Sequence, residues 1–211
     1  MEQSEFLIEG PAKAPLTVIL AHGAGAAMDS PFMNTIAAGL ARAGLRVARF
    51  EFPYMRARRE GGRRGAPDRE PLLLESWRAA IEALGGGQRL VIGGKSMGGR
   101  IASMVADEMA VRGLICLGYP FHPPGKPDRL RVKHLEALRT PALILQGTRD
   151  PFGRREEVAT YRLSKRIQFC WLEDGDHSFK PRASSGHTEQ EHLNTAITAA
   201  TNFVSGLTTK K

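Results

Sequence analysis

Six short apolar runs alternate with stretches of helical spacing along this chain, and no other feature limits its fold so strongly. The runs cover residues 16–21, 45–52, 90–93, 114–117, 142–146 and 167–172. Between and after them, apolar residues recur at helical spacing over 33–43, 70–84, 97–111, 155–163 and 188–204. Short runs this rich in apolar residues suit strands buried on both faces. Strands separated by single helices form parallel crossover units. The sequence therefore predicts an α/β fold in three layers, a mostly parallel central sheet with helices on both faces. No repeat or linker divides its 211 residues, so one domain is expected.

Composition removes several alternatives. With 42% hydrophobic and 25% charged residues, the chain is neither disordered nor a disulfide-stapled miniature. Its first residues, Met1-Glu2-Gln3-Ser4-Glu5, lack the basic and apolar regions of a signal peptide. No apolar run approaches the roughly 18 residues that span a bilayer. Cys116 and Cys170 both lie in apolar runs and read as reduced core thiols, so a cytoplasmic protein with no membrane association is expected.

The formal charge is +8, and half of it comes from residues 55–69. That segment sets Arg56, Arg58, Arg59, Arg63, Arg64 and Arg69 against Glu60 and Asp68, with no apolar periodicity. It reads as a solvated loop, or as a mobile basic flap facing an anionic partner. Nucleic acid is not the expected partner. No aromatics interleave these arginines for base stacking, and no helix-turn-helix or zinc pattern appears.

The chemistry is carried by Gly94-Lys95-Ser96-Met97-Gly98, which fits G-x-S-x-G between an apolar run and a helix. In that setting a sharp strand-to-helix turn exposes the serine, and the flanking glycines let backbones approach. The N–H of Met97 then lies at a helix N-terminus, where it stabilises a developing oxyanion. A phosphate-binding loop is ruled out, because G-x-x-x-x-G-K-[ST] requires glycine where Arg89 stands.

A serine nucleophile needs a base that is itself oriented by an acid. His177 follows the last apolar run and precedes the last helix, within reach of the sheet's carboxyl edge. His22, His122 and His134 precede any suitably placed acid, and His187 and His192 read as solvated helix residues. Asp150 closes the turn after the run 142–146, whereas Asp174 and Asp176 lie too near His177 to orient its ring. A second oxyanion donor is expected from His22-Gly23-Ala24-Gly25, with Ala24 favoured over Gly25. His22 itself reads as a buried residue bonded to its own turn.

Together, His22-Gly23-Ala24-Gly25, Gly94-Lys95-Ser96-Met97-Gly98, Gly147-Thr148-Arg149-Asp150 and Gly175-Asp176-His177-Ser178-Phe179 resemble the α/β-hydrolase fold over about residues 15–205. More narrowly they resemble small bacterial hydrolases of the dienelactone hydrolase-like group. The same domain type occurs in a regulatory subunit of the chromatin-associated non-specific lethal complex. The resemblance implies strand order 1-2-4-3-5-6-7-8, no metal and no cofactor. Residues 119–140 leave no room for a lid domain, so an open site is expected. In that strand order one strand separates Cys116 from Cys170, which puts them roughly 9.6 Å apart at ~4.8 Å per strand. A disulfide needs about 7 Å or less, so both thiols are expected to be free.

These readings converge on a serine hydrolase acting on a carboxylic ester or related acyl bond. Ser96, Asp150 and His177 are the expected catalytic residues, and the N–H groups of Met97, Ala24 and Gly25 the oxyanion donors. Phe52, Tyr54, Tyr119, Phe121, Phe152 and Phe179 are candidate pocket walls. Lys95 reads as structural rather than as a substrate ligand. The expected partner is a small ester, by its charge an anionic one. The rival is a non-catalytic interaction module that retains the fold.

Overall fold

The structure, a computed structural model, describes residues 6–62 and 65–208. Seven strands form one sheet: β1 (Leu7–Glu9), β2 (Thr17–Ala21), β3 (Arg46–Phe50), β4 (Leu90–Lys95), β5 (Gly113–Leu117), β6 (Ala142–Gly147) and β7 (Ile167–Leu172). Six helices surround it: α1 (Pro31–Arg42), α2 (Pro53–Arg59), α3 (Glu70–Ala83), α4 (Met97–Val105), α5 (Arg155–Val158) and α6 (Glu189–Thr208). The strand order is β1-β3-β2-β4-β5-β6-β7. Only β1 runs antiparallel, pairing Leu7 with Arg49 and Glu9 with Val47. This is the expected eight-strand order without its outermost first strand, so among the described residues the sheet is one strand narrower than the resemblance implied.

Alternate residues of each strand feed opposite layers, as the pleat requires. Ile19, Phe50, Ile92 and Leu114 pack with Trp77 and Ile81 of α3 and Ile101 and Val105 of α4. Val18, Leu20, Val47, Val91, Ile115 and Leu145 pack with Ile36 and Leu40 of α1 and Leu193 and Val204 of α6. Both faces are therefore covered, which explains why the strands read as continuous apolar runs. Because β2 to β7 are parallel, their carboxyl ends share one edge, and the loops that follow them meet there. Among the described residues no helix is long and apolar enough to cross a membrane.

The basic segment is where the structure differs most from expectation. Residues 53–59 form α2, begun by Pro53 at its first position after the extended Phe52. Only Tyr54 and Met55 are buried in it, too few to leave a periodic signal. Part of its charge is paired. Arg59 forms paired 2.9 Å bonds with Asp29 and a 2.7 Å ion pair with the buried Glu51. Arg63 and Arg64 lie outside the described residues.

Other boundaries shift for local reasons. The α4 helix stops at Val105 rather than running to 111, and Ala110 takes φ 49° in the turn beyond it. Within that turn the Asp107 carboxylate accepts from the backbone N–H groups of Arg139 and Thr140. The α5 helix is a single turn, ending at Val158 instead of 163. His192, expected to be solvated, is buried, and its Nδ1 bonds the Phe179 carbonyl at 2.7 Å. It thereby ties α6 to the loop carrying His177. Both cysteines are free, on β5 and β7.

Candidate active site

Ser96 occupies the turn between β4 and α4 with φ 50° and ψ −114°, a conformation costly for a residue with a side chain. The surroundings hold it there. Its N–H donates to the Leu117 carbonyl at 3.0 Å. Three glycines admit the crossing backbones. A Cβ on Gly94, whose φ is +149°, would lie 2.0 Å from the Ala21 oxygen. One on Gly98 would lie 2.5 Å from that same oxygen, and one on Gly99 would lie 2.6 Å from the Gly94 oxygen. The G-x-S-x-G spacing is thus a steric requirement of packing this turn against β2.

The turn presents the Ser96 Oγ 2.8 Å from His177 Nε2, and His177 Nδ1 lies 2.7 Å from Asp150 Oδ2. The three expected residues, from the ends of β4, β6 and β7, are thereby brought into one hydrogen-bonded chain. Asp150 is fully buried. Its Oδ2 also accepts from Gln146 Nε2 at 2.9 Å, and its Oδ1 from the Phe152 N–H at 2.9 Å. Gln146 is fixed in turn, its Oε1 accepting from the Tyr119 N–H at 2.7 Å. Both carboxylate oxygens are therefore held, which fixes the orientation of the group. Asp174 and Asp176 serve elsewhere. Asp174 pairs with Arg182, and Asp176 Oδ1 accepts from the N–H groups of Ser178 and Lys180. Burial is the main influence that lowers the pKa of His177 below the ordinary imidazole value. The Asp150 hydrogen bond opposes it and the Lys95 charge adds to it.

A second serine–histidine contact, Ser103 Oγ to His134 Nε2 at 2.8 Å, does not have the same character. The Ser103 hydroxyl donates to the Arg100 carbonyl at 2.6 Å, so His134 must donate to Ser103 rather than accept from it. Burial holds His134 down to about 4, and the other partner of its Nε2 is the Tyr119 hydroxyl, not a carboxylate.

The loop after β2 is braced from behind. His22 Nδ1 donates to the Gly23 carbonyl at 2.7 Å while its Nε2 accepts from the Phe52 N–H at 3.1 Å, which fixes a neutral tautomer. The Tyr54 hydroxyl donates to the Ala24 carbonyl at 3.0 Å. In a planar trans peptide the carbonyl and the next N–H point in opposite directions. Anchoring the carbonyls of Gly23 and Ala24 therefore turns the N–H groups of Ala24 and Gly25 the other way. Removing the Tyr54 hydroxyl should loosen this loop. Tyr54→Phe is expected to lower kcat by roughly three- to tenfold, with Tm falling by only a few degrees, in steady-state and thermal-melt measurements.

Two cavities flank Ser96. One, of about 370 Å³, is lined by Ala24, Gly25, Pro31, Phe32, Phe152 and His177. The other, of about 350 Å³, is lined by Ala24, Met97, Arg100, Ile101, Arg131 and Phe152. Asp68 and Glu70 share the second with the two arginines, and Glu70 pairs with Arg100 at 2.6 Å. Ala24, Gly25 and Met97 border the space around the serine. Of the candidate walls only Phe152 does so, its ring 4.2 Å from that of His177. Tyr54, Tyr119 and Phe121 face inward. Tyr54 is spent on the Ala24 loop, and Tyr119 and Phe121 are fully buried with ring centroids 4.8 Å apart. Phe52 and Phe179 are also fully buried. Walls not foreseen include Arg100, Ile101 and Arg131 in the second cavity and, in the first, Pro31 and Phe32, which open α1 at the carboxyl edge of the sheet. For those last two, the Ser30-Pro31 start was the available signal. Among the described residues no three His, Cys, Asp or Glu side chains gather as metal ligands.

A parallel sheet with the serine turn at its carboxyl edge defines an α/β hydrolase. The chain belongs to the alpha/beta hydrolase domain family, whose model matches residues 14–205. Solved structures share the fold at low identity. The dienelactone hydrolase of Anabaena variabilis is 21% identical, with TM-score 0.73 over 95% of this chain and 90% of that one. An α/β serine hydrolase homologue from Coxiella burnetii is 20% identical, with TM-score 0.71 over 93% and 89%. An α/β serine hydrolase of Xanthomonas campestris, described as without lid, is 19% identical, with TM-score 0.69 over 95% and 88%.

Proposed function

We propose that this protein is a serine hydrolase that cleaves a carboxylic ester or related acyl bond through an acyl-enzyme on Ser96. The observation that carries the reading is the continuous Ser96–His177–Asp150 hydrogen-bond chain, with its acid fully buried. Ser96 Oγ attacks the substrate carbonyl carbon while His177 Nε2 takes its proton. Asp150 keeps the other ring proton on Nδ1 and stabilises the imidazolium. The N–H groups of Met97, Ala24 and Gly25 receive the oxyanion. As the tetrahedral intermediate collapses, His177 returns the proton to the leaving oxygen. Water activated by the same histidine then releases the acid.

Proton return fixes the orientation of the substrate. The leaving oxygen must lie near His177, so the cavity lined by His177 and Phe32 takes the leaving group. The cavity lined by Met97, Ile101 and Arg131 takes the acyl portion. Both are small and open to the surface, which suits a small-molecule substrate. Of the basic residues of α2, Arg59 gives no reason to require an anion, because it is neutralised by Asp29 and Glu51. The free thiols of Cys116 and Cys170 support a cytoplasmic enzyme.

A fluorophosphonate probe tests the reading. Wild-type protein is expected to label and to be protected by a short-chain ester, whereas Ser96→Ala is not labelled. A folded wild-type protein that never labels would contradict it. The histidine must be neutral to act as base, and its pKa is lowered. The acidic limb of kcat/KM is therefore expected below pH ~6.5, checked by ester turnover between pH 4.5 and 8.

A further inference from the structure

Lys95 is the last residue of β4, immediately before the nucleophile, and its half-buried side chain turns under the His177 loop rather than extending from the surface. Its Nζ donates to the backbone carbonyl of His177 at 2.5 Å and stands 5.5 Å from the centre of the Phe32 ring. The end of β5 converges on the same point. A Cβ on Gly118, at φ +70°, would lie 3.0 Å from Lys95 Nζ, 2.9 Å from the His177 carbonyl oxygen and 3.3 Å from His177 Nδ1. Gly118 therefore leaves the room in which the ammonium reaches beneath the imidazole. Methionine would fill that space without a charge, whereas the half-buried ammonium gives up part of its hydration for a carbonyl rather than a carboxylate partner.

From this geometry we infer that Lys95 is a positioning residue for the reaction. It pins the backbone of His177 and sets a positive charge beside the imidazole, which favours the neutral, proton-accepting ring. The inference rests on the Ser96 acyl-enzyme reading above. The groups facing His177 are Ser96 and Asp150 by hydrogen bond, with Asp176 and Lys95 acting through charge. Asp150 and Asp176 favour the imidazolium, and Lys95 opposes it. The same two carboxylates face Lys95, and burial outweighs them, holding its ammonium down to about 8. Phe32 and Phe152 contribute no charge.

Two variants separate the hydrogen bond from the charge. Lys95→Met removes both and keeps the length of the side chain. It is expected to lower kcat about tenfold with KM changed less than twofold. The acidic limb of kcat/KM should rise by about one pH unit, the scale on which a neighbouring charge shifts an imidazole. Lys95→Gln keeps a donor for the His177 carbonyl without the charge. It is expected to recover most of the kcat while keeping the raised limb. An acidic limb at the wild-type pH in Lys95→Gln overturns the inference, as does a Lys95→Met enzyme with wild-type kcat. Should Lys95→Met fail to fold, Lys95→Gln alone decides. Ser96→Ala, assayed alongside, distinguishes the two levels. An inactive Ser96→Ala with an unshifted limb in the lysine variants removes only the role of Lys95, whereas an active Ser96→Ala removes the mechanism beneath it.

Discussion

Replacing Ser96 with alanine is expected to lower kcat/KM for a short-chain ester by at least ~10³-fold, because the acyl-enzyme route loses its nucleophile. The residual rate should be close to what oxyanion donors and binding alone supply, since Met97, Ala24 and Gly25 are untouched. Stability should barely change. The hydroxyl's partner is His177 Nε2, and alanine carries the same Cβ through the same φ of 50°. A Tm within about 2 °C of wild type, with intact secondary structure by circular dichroism, would assign the loss to chemistry. Retained turnover would move the reaction to another group.

Asp150→Asn should cost about 10³- to 10⁴-fold in kcat, for a reason of tautomer rather than shape. The buried carboxylate accepts three hydrogen bonds, from Gln146, Phe152 and His177. Asparagine can keep the Phe152 N–H on its oxygen, but its NH₂ then faces His177 Nδ1 and the Gln146 amide. His177 is forced to accept on Nδ1 and to carry its proton on Nε2, against Ser96. It can no longer take the serine proton. The Gln146 clash should also lower Tm by several degrees, because a buried donor is left facing a donor. Steady-state kinetics and a thermal melt check both effects. A loss smaller than tenfold would contradict the role given to Asp150.

The parts of this architecture that were legible in the sequence are those whose pattern repeats a physical constraint. Strands β2 to β6 are largely buried on both faces and so read as mostly apolar runs. Ser96 was legible because Gly94, Gly98 and Gly99 are forced by contacts of 2.0 to 2.6 Å that no side chain survives. Asp150 and His177 followed from position alone, each in the loop beyond a parallel strand. What was not legible depends on contacts distant in sequence. The three residues of β1 are partly exposed and owe their place to pairing with β3 and to the 2.5 Å Glu9–Arg49 ion pair. The α2 helix buries only two residues, and its Arg59 finds Asp29 and Glu51 from other segments. His192 looked like a surface residue of an amphipathic helix, but the Phe179 carbonyl it bonds belongs to another loop. Aromatic residues near strand ends gave no indication of direction. Tyr119 and Phe121 turned inward to each other, while Phe32, the second residue of α1, lines the cavity beside the serine. Lys95 carried no periodic signal, and its meaning came only from the His177 carbonyl it reaches.

The most direct measurement is a rapid-quench experiment with a p-nitrophenyl ester, followed by intact-mass and peptide analysis of the trapped protein. A burst of p-nitrophenol approaching one equivalent is expected, with one acyl group on the peptide bearing Ser96, and neither burst nor adduct in Ser96→Ala. Steady turnover with no acyl group on Ser96, or with the acyl group on another residue, would contradict the mechanism.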